Sequence, residues 1–493
     1  MKYCLHIAFL CALLLFTAKT KAQEVQWSNS EKFRNRTAFT RIIGQNQQGI
    51  YALRSKSRYI TRRVYIQMFR ENMGLLFSKQ LPGLKRSVLE NAFVYPSNLA
   101  IFKSSYNRKT HNIDLIYQKY TIEADPEGEE KTLMSSPQRD YADEGDYMLS
   151  QSTDRSKVLC FHTEITAEKK TVVEFLVLQA PEMKEIARKK VELPFRYGSF
   201  SRLDMEVDNK GNAYFVFRVE DNEKKKKNFE RFGYYLFAYN IADNQLQDFY
   251  LNNSDTYLSR PYLTIDNLNN RVIVSGFYSL QESGFSKGIL DFAIDATTHK
   301  LIYHGFIPYP QMFVSNMIGK YAAERGEELR DLFIRKIIPH SDSGYVIVAE
   351  EFYTTTQTYT FSINGMMQVG SRDIFNFGKV ALLFINKKGE IEWGKTINKS
   401  QTSSLDLGYY SSIYVLPQKN KLSIFYNDED RGNSEITEYV LNNKGELTSK
   451  LLFKNQTSNI AVVPREGQQL DAATILFPAA KDRKFAFLKL MLN

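Results

Sequence analysis

Short runs of apolar or alternating residues follow one another along the chain, parted by turns of Asn, Asp, Gly and Lys. Apolar positions almost nowhere recur at helical spacing. Side chains on a strand alternate between its faces, so a half-covered strand reads as alternation and a strand covered on both faces as an unbroken apolar run. Ser411–Leu416, Lys421–Tyr426, Glu435–Leu441 and Glu446–Phe453 read as four successive strands, the last two joined by Asn442-Asn443-Lys444-Gly445. The pattern returns at Val380–Trp393 around Asn386-Lys387-Lys388-Gly389, and at Asp208-Asn209-Lys210-Gly211 before Asn212–Phe217. Gly suits these turns because it accepts positive φ without a Cβ clash.

Units of this kind begin near Thr37, Val88, Gly145, Phe200, Tyr257, Asp331 and Leu407, and a last one near Asn459. The last holds three strands, Ile460–Pro464, Ala472–Phe477 and Phe485–Leu492; the fourth is expected from Val25-Gln26-Trp27-Ser28 at the other end. Such closure leaves no sheet edge open. The chain is therefore expected to be all-β, a β-propeller of four-stranded antiparallel blades. Eight blades fit best and seven is the alternative; a row of β-sandwiches would call for linkers richer in Pro and Ser than any present.

Two segments break the pattern. Residues 312–335 contain the best helical candidate, Met317–Arg330, placing a short helical insertion near 315–330. Residues 352–379 insert a Tyr/Thr-rich stretch, Tyr353–Phe361, between the second and third strands of the sixth unit. Long loops on a rigid repeat scaffold are where function concentrates.

The chain's beginning changes the picture of where it works. Lys2 followed by the apolar run Leu5–Phe16, with Thr20-Lys21-Ala22 behind it, reads as a signal peptide over 1–22, cleaved between Ala22 and Gln23. Residues 23–493 then form one domain that is exported to the periplasm or the cell surface. No later run approaches the roughly 18 apolar residues of a membrane span. Of three cysteines, Cys4 and Cys11 leave with the signal, so Cys160 has no intrachain disulfide partner. The net charge of +10 is dispersed, and its one dense run, Lys224–Lys227, is flanked by Glu223 and Glu230, which fits a solvated hairpin tip and no nucleic-acid surface.

The candidate chemistry is thin. Gly284-Phe285-Ser286-Lys287-Gly288 matches a hydrolase elbow, but it lies between two strands where that motif needs a strand and then a helix. His340-Ser341-Asp342-Ser343-Gly344 reads as a turn with Asp342 capping backbone N–H groups. Asp428–Glu435 alternates oxygen ligands as Ca²⁺ would want, with Arg431 opposing a cation. Cys160 and His162 share a strand face, two ligands where zinc needs three or four; a buried thiol beside a satisfied His is expected. Acidic stretches at Glu123–Glu130 and Asp140–Asp146 read as solvated loops. No catalytic, metal or cofactor residue is assigned. The aromatic residues at loop or blade-end positions, Tyr353, Tyr359, Phe361, Tyr409 and Tyr410, are the candidate ligand contacts.

Trp27-Ser28, the hairpin from Gly44 to Ile50-Tyr51, the strand Ser343–Glu351, the Tyr/Thr loop and Ile385–Trp393 together resemble a group of secreted, propeller-like proteins common in Bacteroidota. The resemblance implies export and a propeller fold, and carries over no activity and no functional residue. The expected function is an exported, non-enzymatic binding or scaffold module of the cell envelope with a protein, peptide or glycan partner. The alternative is a propeller-type hydrolase of glycans or peptides, its acids drawn from several blades.

Overall fold

In the computed structural model, the described residues are 24–492 apart from 30, 33–38, 56–62, 85–86, 138–146, 167, 197–199, 221–231, 254, 282–283, 405, 431–432, 455–459 and 482–483. The proposed cleavage site, Lys224–Lys227, Arg431 and the acidic stretch 140–146 lie outside them.

Among the described residues, eight antiparallel sheets follow in chain order, each built on a row of four strands, to which the sixth adds one short strand and the eighth two. Their first strands are Phe39–Asn46, Ser87–Val94, Met148–Gln151, Phe200–Val207, Tyr257–Asp266, Leu332–Pro339, Tyr414–Pro417 and Ile460–Val462. In blades 1 to 6 each first strand touches the first strand of the next blade, which sets these strands innermost around one axis. The second and third strands are covered on both sides and read accordingly: Arg271–Ser279 is buried at every position. First strands are less covered than these, and Leu332–Pro339 mixes buried with half-exposed positions.

An apolar core fills every gap between neighbouring blades. Tyr51 and Leu99 pack between blades 1 and 2, Phe161 and Phe215 between blades 3 and 4, Tyr345 and Phe277 between blades 5 and 6. The eighth gap joins the ends of the chain: Ile42, Phe69 and Met73 of blade 1 meet Leu476, Phe485 and Phe487 of blade 8, with the Phe69 and Phe487 rings 4.9 Å apart, edge to face. The architecture is thus an eight-bladed β-propeller, and the ring is closed.

Closure uses the N-terminal strand. Glu24–Trp27 pairs with the last strand, from Glu24 opposite Met491 to Trp27 opposite Leu488, and completes blade 8. Ser28 extends the seam: its N–H donates to the Phe487 carbonyl at 3.0 Å, and its Oγ accepts from the Phe487 N–H at 2.8 Å.

The insertion at 312–335 differs from its expected form. The helix begins earlier and is broken: Gln311–Ile318 and Lys320–Glu324 are parted by Gly319 at φ 91°. Leu329–Arg330, expected to be helical, is instead a short strand paired with Phe285–Ser286. Burial explains the shift, since Phe313 and Met317 anchor the first helix in the core between blades 5 and 6 and Leu329 is drawn into the same core.

Candidate functional site

The two rims of the ring are built differently. On one, the turns between first and second strands of blades 8, 1, 2 and 3 surround a cavity of about 890 Å³. Its polar lining includes Gln45, Glu71, Asp154, Arg155, Asp471 and Lys489. These turns hold themselves in place by capping their own backbones. Asn46 Oδ1 accepts from the N–H of Gln48 and Gly49 at 2.9 and 3.3 Å, while its Nδ2 reaches across to the Tyr95 carbonyl of blade 2 at 3.2 Å. Gln45 Nε2 donates to the Leu470 carbonyl of blade 8 at 2.6 Å. Asp154 accepts from the Ser152 hydroxyl and from the Ser156 N–H and hydroxyl, at 2.6, 2.9 and 2.8 Å. Gly49 permits the close approach, because a Cβ there would stand 2.3 Å from the Phe69 carbonyl oxygen. Arg155 remains exposed at the mouth. The result is a fixed concave surface carrying amides and charges of both signs.

The opposite rim carries a projection. The second and third strands of blade 6, Tyr345–Ile363 and Met366–Ile385, run past the blade as a two-stranded ribbon closed by Asn364-Gly365, both at positive φ. Its outer part is exposed throughout 353–369. Its root is anchored by the side chain of Glu350, which has no exposure. Glu350 Oε2 accepts from Arg335 Nε at 2.7 Å and from the Ser412 hydroxyl at 2.6 Å, and Lys399 Nζ lies 2.8 Å from Oε1. Lys399, equally buried, has its ammonium pushed below the usual lysine range by burial, with Glu350 opposing the shift. Phe352 and Phe377 pack at 4.8 Å beside this group, and Gln401–Ser403 adds a third strand against Phe375–Phe377. Arg335 reaches Glu350 because a β-bulge between Ile334 and Lys336 re-aims it.

The five aromatic candidates divide between two places. Tyr353, Tyr359 and Phe361 stand on the ribbon, 45%, 47% and 36% exposed. Tyr409 and Tyr410 do not join them. Tyr409 bridges to blade 1, accepting from the Thr40 N–H at 3.4 Å and packing edge-on against Phe39 and Tyr410, a structural role that leaves both half-buried.

The other motifs resolve into structure. Ser286 is buried, its hydroxyl 2.7 Å from the Tyr309 hydroxyl. Asp342 caps the Gly344 N–H at 2.9 Å, as the turn reading expects. Asp428–Asp430 pairs in a hairpin with Asn433–Glu435. Cys160 is fully buried and its thiol is pushed up by burial. His162 departs from expectation: its Nδ1 meets no hydrogen-bond partner among the described residues, and burial lowers its pKa to about 4. Sequence reading missed one pair of acids. Asp204 and Glu206 share a face of the first strand of blade 4; burial, then the Asp204 charge, pushes Glu206 up to about 8. Burial raises Asp204 as well, and it holds the Leu263 N–H of blade 5 at 3.2 Å. Neither lines the cavity.

No family model and no curated protein matches the sequence. Among solved structures, the chain is similar to the WD40 domain of SCAP from fission yeast, at 6% identity and a TM-score of 0.38, covering 95% of this chain and 98% of that one. It is similar to the β-propeller domain of the Trilobed protease from Pyrococcus furiosus, at 12% identity and a TM-score of 0.32, over 88% and 97%. A Mycobacterium tuberculosis puromycin-hydrolyzing peptidase is similar at 9% identity and a TM-score of 0.39, over 92% of this chain and 61% of that one. Likeness at this level does not bear on the site.

Proposed function

We propose that this protein is an exported, non-enzymatic binding module of the cell envelope and that it holds a polar segment of a peptide or glycan in the cavity between blades 8, 1, 2 and 3. The observation that carries the reading is the cavity itself, about 890 Å³ of concave surface with amides and both signs of charge fixed by turn hydrogen bonds. A volume of several hundred Å³ with a few convergent polar groups is the usual form of a ligand site. Pre-fixed walls lower the ordering cost of binding. Export is supported by the leader-like run before Gln23 and by the resemblance to secreted propeller-like proteins of Bacteroidota.

The test is calorimetric titration of the purified protein with envelope-derived peptides and oligosaccharides, beside Arg155→Glu and Asp471→Lys. Both side chains belong to the cavity wall and neither to a blade core. Loss of about tenfold or more in affinity with an unchanged melting temperature supports the reading; equal affinity in both variants removes the cavity from consideration.

A second reading, a hydrolase, is favoured by one observation, the Asp204–Glu206 pair, in which a carboxyl raised by burial stands on the same strand face as a second acid. Turnover of glycan or peptide substrates abolished by Glu206→Gln would establish it; no turnover by the wild type would refute it, and cleavage that survives both Glu206→Gln and Asp204→Asn would take this pair out of the reaction.

A further inference from the structure

The ribbon of blade 6 has a composition that nothing else in the molecule shares in its position. From Tyr353 to Ser371 there is no charged residue and no proline, in a chain that is 24% charged. Exposed edge strands are normally guarded by charge, proline or brevity, because an unpaired row of N–H and C=O groups will pair with another chain. Here the guard is missing along a long edge. The first strand of blade 6 stops pairing at Leu332 opposite Glu351, and the Phe352 N–H is taken by the Asp331 carbonyl at 2.8 Å. Beyond that point the edge of 353–363 on the first-strand side has no strand against it among the described residues. The other edge is covered at 375–377 alone. The tip is apolar on both faces, with Ile363, Met366, Met367 and Val369 between 47% and 74% exposed.

We propose that this edge pairs with the same edge of a second copy, making a two-fold dimer whose joined ribbons form one four-stranded antiparallel sheet. Charge selects the occupant. The net charge is positive, +10 for the full sequence and +7 without residues 1–22, and a projection with no net charge is where two copies meet with the least repulsion. The sequence is self-complementary about Thr358. In the two-fold register centred there, Tyr353 faces Ile363 and Thr355 faces Phe361, while Thr354 faces Ser362 and Thr356 faces Thr360. Gln357 faces Tyr359 at the centre of the first face, so that face joins aromatic and β-branched pairs around one glutamine–tyrosine pair, and hydroxyls meet on the other. A bilayer is a poorer occupant, since lipid would leave the edge N–H and C=O groups unpaired, and the ribbon's one cation, Arg372, is engaged by Gln357 and lies beside Asp373. The contacts of Glu350 at the base hold the root of the ribbon, and use of the same edge by both copies makes the interface isologous.

Two measurements on the purified chain decide it. The first is mass by sedimentation equilibrium. Wild type is expected as a dimer, and Thr356→Lys/Thr360→Lys, which sets like charges opposite one another, is expected to raise the dissociation constant at least about tenfold while blade melting stays unchanged. The second is cross-linking under mild oxidation. Opposed residues of an antiparallel pair lie roughly 4.5–5.5 Å apart, a separation a disulfide spans. Thr358→Cys is therefore expected to give a covalent dimer and Thr356→Cys far less, with buried Cys160 silent in both. A monomeric wild type at every concentration overturns the proposal, whether or not the ribbon then binds vesicles or another protein. So does a dimer indifferent to the lysine pair, or equal cross-linking at 356 and 358.

Discussion

The cavity rim and the ribbon rim handle charge in opposite ways. Around the cavity, charged and amide groups sit at the surface and are pinned there by their own turns: Asn46 and Asp154 each accept from backbone N–H groups two or three residues on. At the ribbon, Arg335, Lys399 and Glu350 meet in the protein beneath the root, and the projecting part carries one exposed charge of each sign, Arg372 and Asp373, set against Gln357 and Thr356, with none from Tyr353 to Ser371. One rim is concave, rigid and polar; the other is extended, neutral and apolar at its tip. The same repeat supports both because blade cores lie between sheets, leaving turns and strand extensions unconstrained by packing.

The largest break in this contrast comes at the root. Glu350→Ala leaves Arg335 and Lys399 facing each other in a buried site without their carboxylate. Removing one partner of such a cluster is expected to cost about 3–5 kcal/mol, read as a fall in the urea midpoint. No comparable loss follows from any single change at the exposed cavity mouth, such as Arg155→Ala.

Acid sharpens the picture in the body of blade 3. The folded pKa of His162 is depressed to about 4 from its ordinary value of about 6.5. The unfolded chain therefore binds the proton more readily. Stability from this site is present above about pH 6.5 and is lost as pH falls toward 4, by at most about 3 kcal/mol. A melting-temperature profile should show that acid limb in wild type and a flatter one in His162→Leu. Glu206 has the opposite sign. Its folded pKa is raised to about 8, so its contribution is present below about pH 4.5 and lost as pH rises through 8, and Glu206→Gln should flatten the alkaline limb.

A smaller effect belongs to the turns on the cavity rim. Asp208 Oδ1 accepts from the N–H groups of Lys210, Gly211 and Asn212 at 2.9, 2.8 and 2.8 Å. Asp208→Ala should cost about 2 kcal/mol in chemical denaturation, the scale of hydrogen bonds to a charged acceptor. The smallest effect is at the ribbon tip. Met367, 72% exposed, should tolerate Met367→Lys within about 0.5 kcal/mol of blade stability.

Much of the ring was legible because its signals are local. Wholly apolar runs mark strands covered on both faces, and turns such as Asn442–Gly445 fix where hairpins reverse. The need to close an edge sends Val25–Ser28 to the last blade, where Glu24–Trp27 is found. The site was less legible. Tyr353 and Tyr409 look alike in sequence, yet one stands free on the ribbon and the other is consumed by Thr40 of blade 1, hundreds of residues away. The cavity escapes sequence reading for the same reason: Gln45, Asp154 and Asp471 are ordinary turn residues until the ring sets blades 8, 1, 2 and 3 side by side. The helical insertion was misplaced because a five-residue helix and its neighbour, broken at Gly319, owe their limits to Phe313, Met317 and Leu329 in a core that no local pattern announces.

Hydrogen exchange, followed amide by amide with and without the envelope peptide and oligosaccharide fractions, tests the division between the two rims most directly. Ligand should slow exchange at the turn amides of 45–49, 94–96, 154–156 and 470–474 and leave 354–370 unchanged. Protection that appears on the ribbon and not at those turns would contradict the account.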